Sequence, residues 1–166
     1  MSKIIQQHNF KPIRHDRLIQ EQVHDAYKAE GKLKEPSVCK QCGAVYHKGR
    51  WQWLAKPMDA HAEICPACHR ILDHYPSGFV SIKGDFFMQH RNEIMNLILN
   101  HEKREKADHP LKRIMSIDAM DGELLVTTTD VHLARSLGDA LHHSYQGKLD
   151  YSYNEAENLL RVEWVH

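Results

Sequence analysis

The chain has no excess of either charge: 22 Lys and Arg face 22 Asp and Glu over 166 residues. That removes the whole-molecule electrostatic footprint of a nucleic-acid binder, so any basic surface has to be local. No apolar run approaches the length a bilayer demands. The start, Met1-Ser2-Lys3-Ile4-Ile5, lacks the apolar core and small-residue cleavage site of a secretory leader. The expectation is a cytoplasmic protein with no membrane partner. Also missing are a Walker-type phosphate loop, a Gly-rich dinucleotide fingerprint and a Ser/His/Asp arrangement. Carboxylate pairs occur only in charged, solvated stretches, and nothing argues for an enzyme. The chain has no internal repeat and no low-complexity tract, and its oligomeric state is not written in it.

Cysteine is scarce, with four residues in all, and every one falls in a single pattern: Cys39-x2-Cys42, then 22 residues, then Cys65-x2-Cys68. In a reducing compartment, paired cysteines point to metal or redox work rather than disulfides. Tetrahedral zinc takes four thiolates at about 2.3 Å, and a two-residue gap lets one tight turn present two sulfurs to one ion. Gly43 follows the first pair, where the turn needs a positive φ, and Pro66 stiffens the second. The spacing predicts a structural Zn2+ held by Cys39, Cys42, Cys65 and Cys68. Iron held as in rubredoxin is the chemical rival, which would make the chain an electron carrier or redox sensor. A thioredoxin-type reading is weaker, because no βαβ unit precedes a Cys pair. Four thiolates saturate the ion, whereas catalytic zinc keeps an open position, so the metal reads as a staple for a segment too poor in apolar residues to stay ordered alone.

Around this motif the chain divides into a polar N-terminal arm (1–38), a four-cysteine zinc-binding module (39–75), a helical connector (76–110) and a compact unit (111–166). Residues 16–29 of the arm have a thin helical stripe, Leu18 and Val23, and the arm reads as an extension that orders against something else. Val45, Trp51 and Trp53 suggest a short hairpin with Lys48-Gly49 near its turn. Pro76-Ser77-Gly78 is a turn signal ahead of the apolar run Phe79-Val80-Ser81-Ile82. A helix follows from Asp85 as N-cap, with Phe87, Ile94, Leu97, Ile98 and His101 on one face, ending before Pro110. In the last unit, 113–118 and 123–128 read as strands about the Asp121-Gly122 hairpin signal. Asp130 or a neighbouring Thr caps a helix to Gln146, stopped by Gly147, with Leu133, Leu137, Ala140, Leu141 and Tyr145 as its stripe. Leu149, Tyr151 and Tyr153, then Leu160, Val162 and Trp164, alternate as two further strands. The fold class is α+β: a treble-clef or zinc-ribbon-like module, a helix and a ββαββ domain with one sheet face covered.

Between the Cys pairs lie His47, Lys48, Arg50, Trp51, Trp53 and Lys56. Cations interleaved with aromatics on a rigid platform suit RNA, cations meeting phosphate and rings stacking on bases. The competing reading is that the tryptophans pack the ribbon on the next domain and the cations are an ordinary solvated face. Lys112 and Arg113 offer two more cations at a domain junction, as RNA contacts or as linker. His132, His142 and His143 read as solvated or capping groups, and Thr127-Thr-Thr-Asp130 as strand end plus helix cap. The 14 histidines make net charge climb below about pH 6.5.

These residues carry a resemblance. The Cys-x-x-Cys-Gly and Cys-x-x-Cys module followed by a small α+β domain resembles the N-terminal part of nonsense-mediated mRNA decay protein 3, an adaptor family of the large ribosomal subunit. The stretch from Asp121 to Gly138, Asp-Gly-Glu-Leu-Leu-Val-Thr-Thr-Thr-Asp-Val-His-Leu-Ala-Arg-Ser-Leu-Gly, is similar to it as well. A group of small bacterial proteins with Cys-Gly-Ala-Val-Tyr-His and Gly-Arg-Trp-Gln-Trp signatures looks closer still. The resemblance spans roughly 35–166. The adaptor family has more cysteines and further domains, so nuclear export is not implied. What the resemblance implies is a non-enzymatic, ribosome- or ribosomal-RNA-associated zinc protein acting in translation, hibernation or stress. An adaptor in stress or transcription regulation that uses no nucleic acid is the other class.

Overall fold

The computed structural model describes residues 10–13, 26–27 and 31–166. The helix expected over 16–29 lies outside the described residues, apart from Ala26 and Tyr27. The described residues form two sheets and four helices, an α+β protein. Among them no helix is long and apolar enough to cross a membrane.

The smaller sheet belongs to the four-cysteine module. Strands β2 (Ser37–Cys39), β3 (Val45–His47), β4 (Arg50–Gln52) and β5 (His61–Glu63) lie in the order β4-β3-β2-β5. The hairpin expected around Lys48-Gly49 is β3–β4, with Tyr46 opposite Trp51. Lys48 and Gly49 both have positive φ, 51° and 77°, the twist-matched geometry of a two-residue hairpin loop. Their two N–H groups donate to the two carboxylate oxygens of Glu35, each at 3.0 Å, which fixes the hairpin tip. Helix α1 (Pro66–Asp73) then follows β5.

The larger sheet has the order β1-β9-β10-β6-β8-β7, built from β1 (Lys11–Ile13), β6 (Gly78–Lys83), β7 (Ile114–Met120), β8 (Glu123–Thr128), β9 (Lys148–Asn154) and β10 (Leu159–Val165). The hairpin at Asp121-Gly122 pairs β7 with β8. Asp130 caps helix α4 (Val131–Tyr145), its carboxylate accepting from the Leu133 N–H at 2.8 Å. The expected element order ββαββ therefore occurs over 114–165, but these four strands do not form a sheet by themselves. Strand β6, from the stretch read as connector, lies between β10 and β8, parallel to the first and antiparallel to the second. Its first five residues are buried, and a strand covered on both faces shows a continuous apolar run instead of alternation. From the arm, Lys11–Ile13 adds an edge strand to β9, with Pro12 at a position where a missing N–H is tolerated.

Helix α4 covers one sheet face. Leu133, Leu137 and Leu141 meet Val80, Ile82, Val126, Val162 and Trp164, all fully buried. Each such side chain contributes roughly 1.5–3 kcal/mol by leaving water, so this sheet is self-sufficient in apolar burial. The long helix expected after Asp85 is two helices, α2 (Asp85–Gln89) and α3 (Arg91–Asp108), with Gly84 rather than Asp85 at the N-cap. The helical path breaks at His90, whose ring stacks on Phe86 while Phe86 stacks on His166. This contact and the Phe87 N–H to His166 O bond (3.3 Å) hold α2 on the end of β10.

This packing can be tested at two positions. Gly138 lets α4 approach β10: a Cβ there would sit 2.6 Å from Val162 Cγ1 and 3.1 Å from Leu149 Cδ1. Overpacking costs about 1–3 kcal/mol, against up to about 1 kcal/mol of helix propensity gained over Gly. Gly138→Ala is expected to lower the urea midpoint at unchanged m-value, and a raised midpoint refutes the close approach. Separately, His101 Nε2 meets Ser136 Oγ at 2.8 Å between α3 and α4. Burial holds its imidazole below the usual value, reinforced by Arg104 and Lys112 and opposed by Glu105 and Asp139. The unfolded chain thus takes the proton first, and stability is lost as pH falls below about 6.5 toward the folded-state value. Stability measured at pH 7.5 and 5.5 should fall less for His101→Gln than for wild type; equal losses rule out this linkage.

Candidate metal centre

The two cysteine turns are built differently. In the first, the Gly43 N–H donates to Cys39 O and the Cys39 N–H to Ala44 O, both at 2.8 Å. Gly43 takes φ 81°, which a side chain would strain. In the second, Cys65 is the N-cap of α1 and its sulfur accepts from the Cys68 N–H at 3.4 Å, with Pro66 in the first helical turn. Proline suits that position because its missing N–H has no helical partner to lose. The helix start also places positive backbone dipole beside two sulfurs. Pairing of β2 with β5 closes the ring, setting Cys39 opposite Glu63, two residues before Cys65.

The four sulfurs lie within 4.8 Å of one another. Cys42 and Cys65 are separated by 3.8 Å, the edge of a tetrahedron whose metal–sulfur bonds are about 2.3 Å. Cys39, Cys65 and Cys68 are buried and Cys42 is partly exposed. The donor set and spacing fit a tetrahedral ion. Burial raises the Cys39 thiol, but N–H groups of Cys65, Cys42 and Gln41 outweigh that and bring it down to about 7. Burial pushes the Cys65 thiol up, and the charges of Cys42 and Cys68 add to this. A cation at the centre relieves that conflict.

One residue beside the sulfurs comes from the larger sheet. Arg113, expected at an RNA-facing surface, is 7% exposed. Its Nη1 donates to Cys68 Sγ at 3.2 Å, and its Nη2 to Cys42 Sγ at 3.0 Å and Cys65 Sγ at 3.4 Å. Its Nε donates to Pro110 O at 2.8 Å. Burial would lower its pKa, but the bond to Cys68 and the charges of Cys42, Cys65 and Cys68 outweigh it and keep it ionised. The RNA role expected for Arg113 is corrected on this ground: a buried guanidinium engaged by three sulfurs and a carbonyl is not presented to phosphate. Lys112 is likewise engaged, its Nζ 2.8 Å from Glu105 Oε2. That ion pair holds the Glu105 carboxyl below its usual range.

The hairpin residues divide. Lys48, Arg50 and Lys56 are exposed. Trp51 is half-buried, packs on the sulfur cluster and meets the Tyr46 ring at 5.5 Å. Trp53 is 37% exposed, and its indole N–H donates to Lys106 O at 2.7 Å, hooking the hairpin to the end of α3. The tryptophans thus pack the ribbon on its neighbour while leaving part of their faces open. They line a cleft of about 1040 Å³ together with Tyr46, Arg50, His69 and Lys112. Sequence reasoning missed the cleft and the Arg113 contact. The signal for both is the run from Pro110 to Arg113, which closes the cleft on one side and reaches the sulfurs on the other.

Comparison with protein-family models, with curated proteins and with solved structures finds no match to this chain. Its function is therefore read from the geometry of the site.

The cluster predicts a stoichiometry. Elemental analysis of purified protein is expected to give one zinc per chain, and Cys→Ser at position 39, 42, 65 or 68 should lower it. Structural zinc contributes about 10–16 kcal/mol of apparent binding in small metal modules, so loss of a ligand should unfold the ribbon. A red protein containing iron would overturn the zinc assignment, and metal-free protein with an ordered ribbon would overturn the site.

Proposed function

We propose that the chain is a non-enzymatic zinc protein that binds RNA through the stapled hairpin, with ribosomal RNA as its partner. The observation that carries this reading is the surface beside the cleft. Lys48, Arg50 and Lys56 of the ribbon are exposed, and so are Lys103, Arg104 and Lys106 along the end of α3. The Trp53 bond to Lys106 O joins the ribbon to this helix end, where Glu102, Glu105 and Asp108 alternate with the cations. A single strand entering the cleft would meet Arg50 and partly open indole faces, with the carboxylates of Glu63 and Asp108 also in the lining; cations beside aromatic faces are the pairing that suits unstacked bases. The formal charge of the whole chain is zero, so electrostatic affinity would have to come from the exposed cations Lys48, Arg50 and Lys56. Four thiolates leave no coordination position for a substrate, which supports a binding role over catalysis. The ribosome as the source of the RNA rests on the resemblance to the adaptor family; a role in hibernation or stress belongs to the same reading.

The test has two parts. Binding to single-stranded RNA, read by fluorescence anisotropy at 50 and 200 mM salt, should weaken steeply with salt. Each of Lys48→Ala, Arg50→Ala and Lys56→Ala should reduce the salt slope by about one. Trp53→Ala should cost about 1–3 kcal/mol if its face stacks on a base. In sucrose gradients of cell extract at low salt, the protein should travel with ribosomal particles. RNA binding without ribosomal co-migration would leave an RNA-binding protein of another kind. No salt-dependent RNA binding at all would sink the reading and favour a protein-binding adaptor.

A further inference from the structure

The Arg113 contact joins two units that the sequence keeps far apart. The sulfurs belong to residues 39–68, while Arg113 stands immediately before β7 at the margin of the larger sheet. On that side it is tied into the strand-to-helix junction. The Arg113 N–H donates to Thr129 Oγ1 at 3.0 Å, the Thr129 N–H donates to Arg113 O at 2.9 Å, and the Thr129 hydroxyl donates to Leu111 O at 2.6 Å. Thr129 is buried and precedes Asp130, the cap of α4. A continuous chain of polar contacts thus runs from Cys42, Cys65 and Cys68 through Arg113 and Thr129 to the start of α4. Pro110, Leu111 and Lys112, beside it, line the cleft.

A divalent ion with four thiolates carries a net charge of −2, and a guanidinium cancels one unit of it. A buried charge is tolerated where it is paired and hydrogen-bonded, and is costly where its partner is withdrawn. The ion is the common centre on which Cys42, Cys65 and Cys68 converge, so its loss frees the three sulfurs to move apart and removes the joint acceptor set that Arg113 bridges. We propose that Arg113 is a positioning residue through which metal occupancy of the four-cysteine site is transmitted to the loop 109–113 and the 127–131 junction, so that the cleft is formed only in the metal-bound protein. The inference rests on the four cysteines holding a metal; it is independent of whether the cleft takes RNA.

The experiment uses the full chain, loaded with Zn2+ or stripped by a chelator, and reads amide hydrogen exchange by mass spectrometry. In wild type, stripping should accelerate exchange in the ribbon and also at 127–131, the latter by roughly ten- to a hundredfold, the effect of losing hydrogen bonds to a charged group. In Arg113→Met, which keeps length and apolar volume, zinc should still bind one per chain, while exchange at 127–131 should be fast and insensitive to zinc. A spectroscopic arm reports on the sulfurs themselves. With Co2+ as probe, removing N–H···S bonds should move the thiolate-to-metal charge-transfer band of Arg113→Met to longer wavelength, and Arg113→Lys should recover part of the shift. If stripping wild type alters exchange in the ribbon alone, the proposal fails, and this holds even if the variants do not fold. Retention of the zinc effect at 127–131 in Arg113→Met also overturns it. A chain that binds no metal at all fails at the earlier step, as a failure of the metal-site assignment.

Discussion

Four sulfurs within 4.8 Å of one another are a concentration of potential negative charge that needs positive charge at its centre and at its rim. The centre suits a divalent cation, and Arg113 supplies the rim. Much else in the molecule is arranged around this requirement. The ribbon contributes Gly43, Pro66 and the helix start of α1 to aim the sulfurs inward. The larger sheet contributes a guanidinium fixed by Pro110 O and by the pairing of its backbone with Thr129. The contact between the two units is thus electrostatic at its core, with Trp53 on Lys106 O as a second tie.

The two units draw their stability from different sources. The larger sheet has a contiguous apolar core running from Val80 to Trp164, covered by α3 and α4. The ribbon core contains Cys39, Ala44, Cys65, Ala67 and Cys68, with Trp51 and Leu111 against it. Beyond these, the ribbon strands bury Val38 and Val45, a small apolar core at roughly 25 cal/mol per Å² beside that of the larger sheet. Coordination of an ion by the four cysteines would add the stabilisation this core lacks. This division explains why a hairpin of exposed cations can be rigid: its tip is fixed by Glu35, its base by the sulfurs, and its side by the indole of Trp53.

Legibility in the sequence followed the range of the interaction. The Cys-x2-Cys turns, the Lys48-Gly49 and Asp121-Gly122 hairpins and the Asp130 cap are local, set by residues within a few positions, and each appeared in the sequence in the form the structure has. Strand β6 did not. Its apolar run was visible, but its place between β8 and β10 depends on a parallel pairing with residues some 80 positions on, for which no local signal exists. The stacking of Phe86 on His166, which seats α2 on the end of β10, is long-range in the same way. Arg113 is the clearest case. A lone arginine beside a lysine at a loop reads as solvent-facing charge, because the sulfurs that bury it lie 45, 48 and 71 positions away.

That hidden contact changes what the metal does for the molecule. Seen from the motif alone, a saturated four-thiolate site staples the segment that contains it. With a guanidinium from the other sheet among its sulfurs, the same site becomes a shared element of both units. The cleft between them is bounded by Trp51 and Trp53 on one side and by 109–112 on the other, and both walls reach the sulfur cluster, through Trp51 and Leu111. An ion placed there would bear on both walls, through Trp51 on the sulfur cluster and through Arg113. A staple confined to the ribbon would fix the hairpin but leave the opposite wall to the sheet domain. Under the coupling proposed for Arg113, the width of the cleft becomes a property of the metal site.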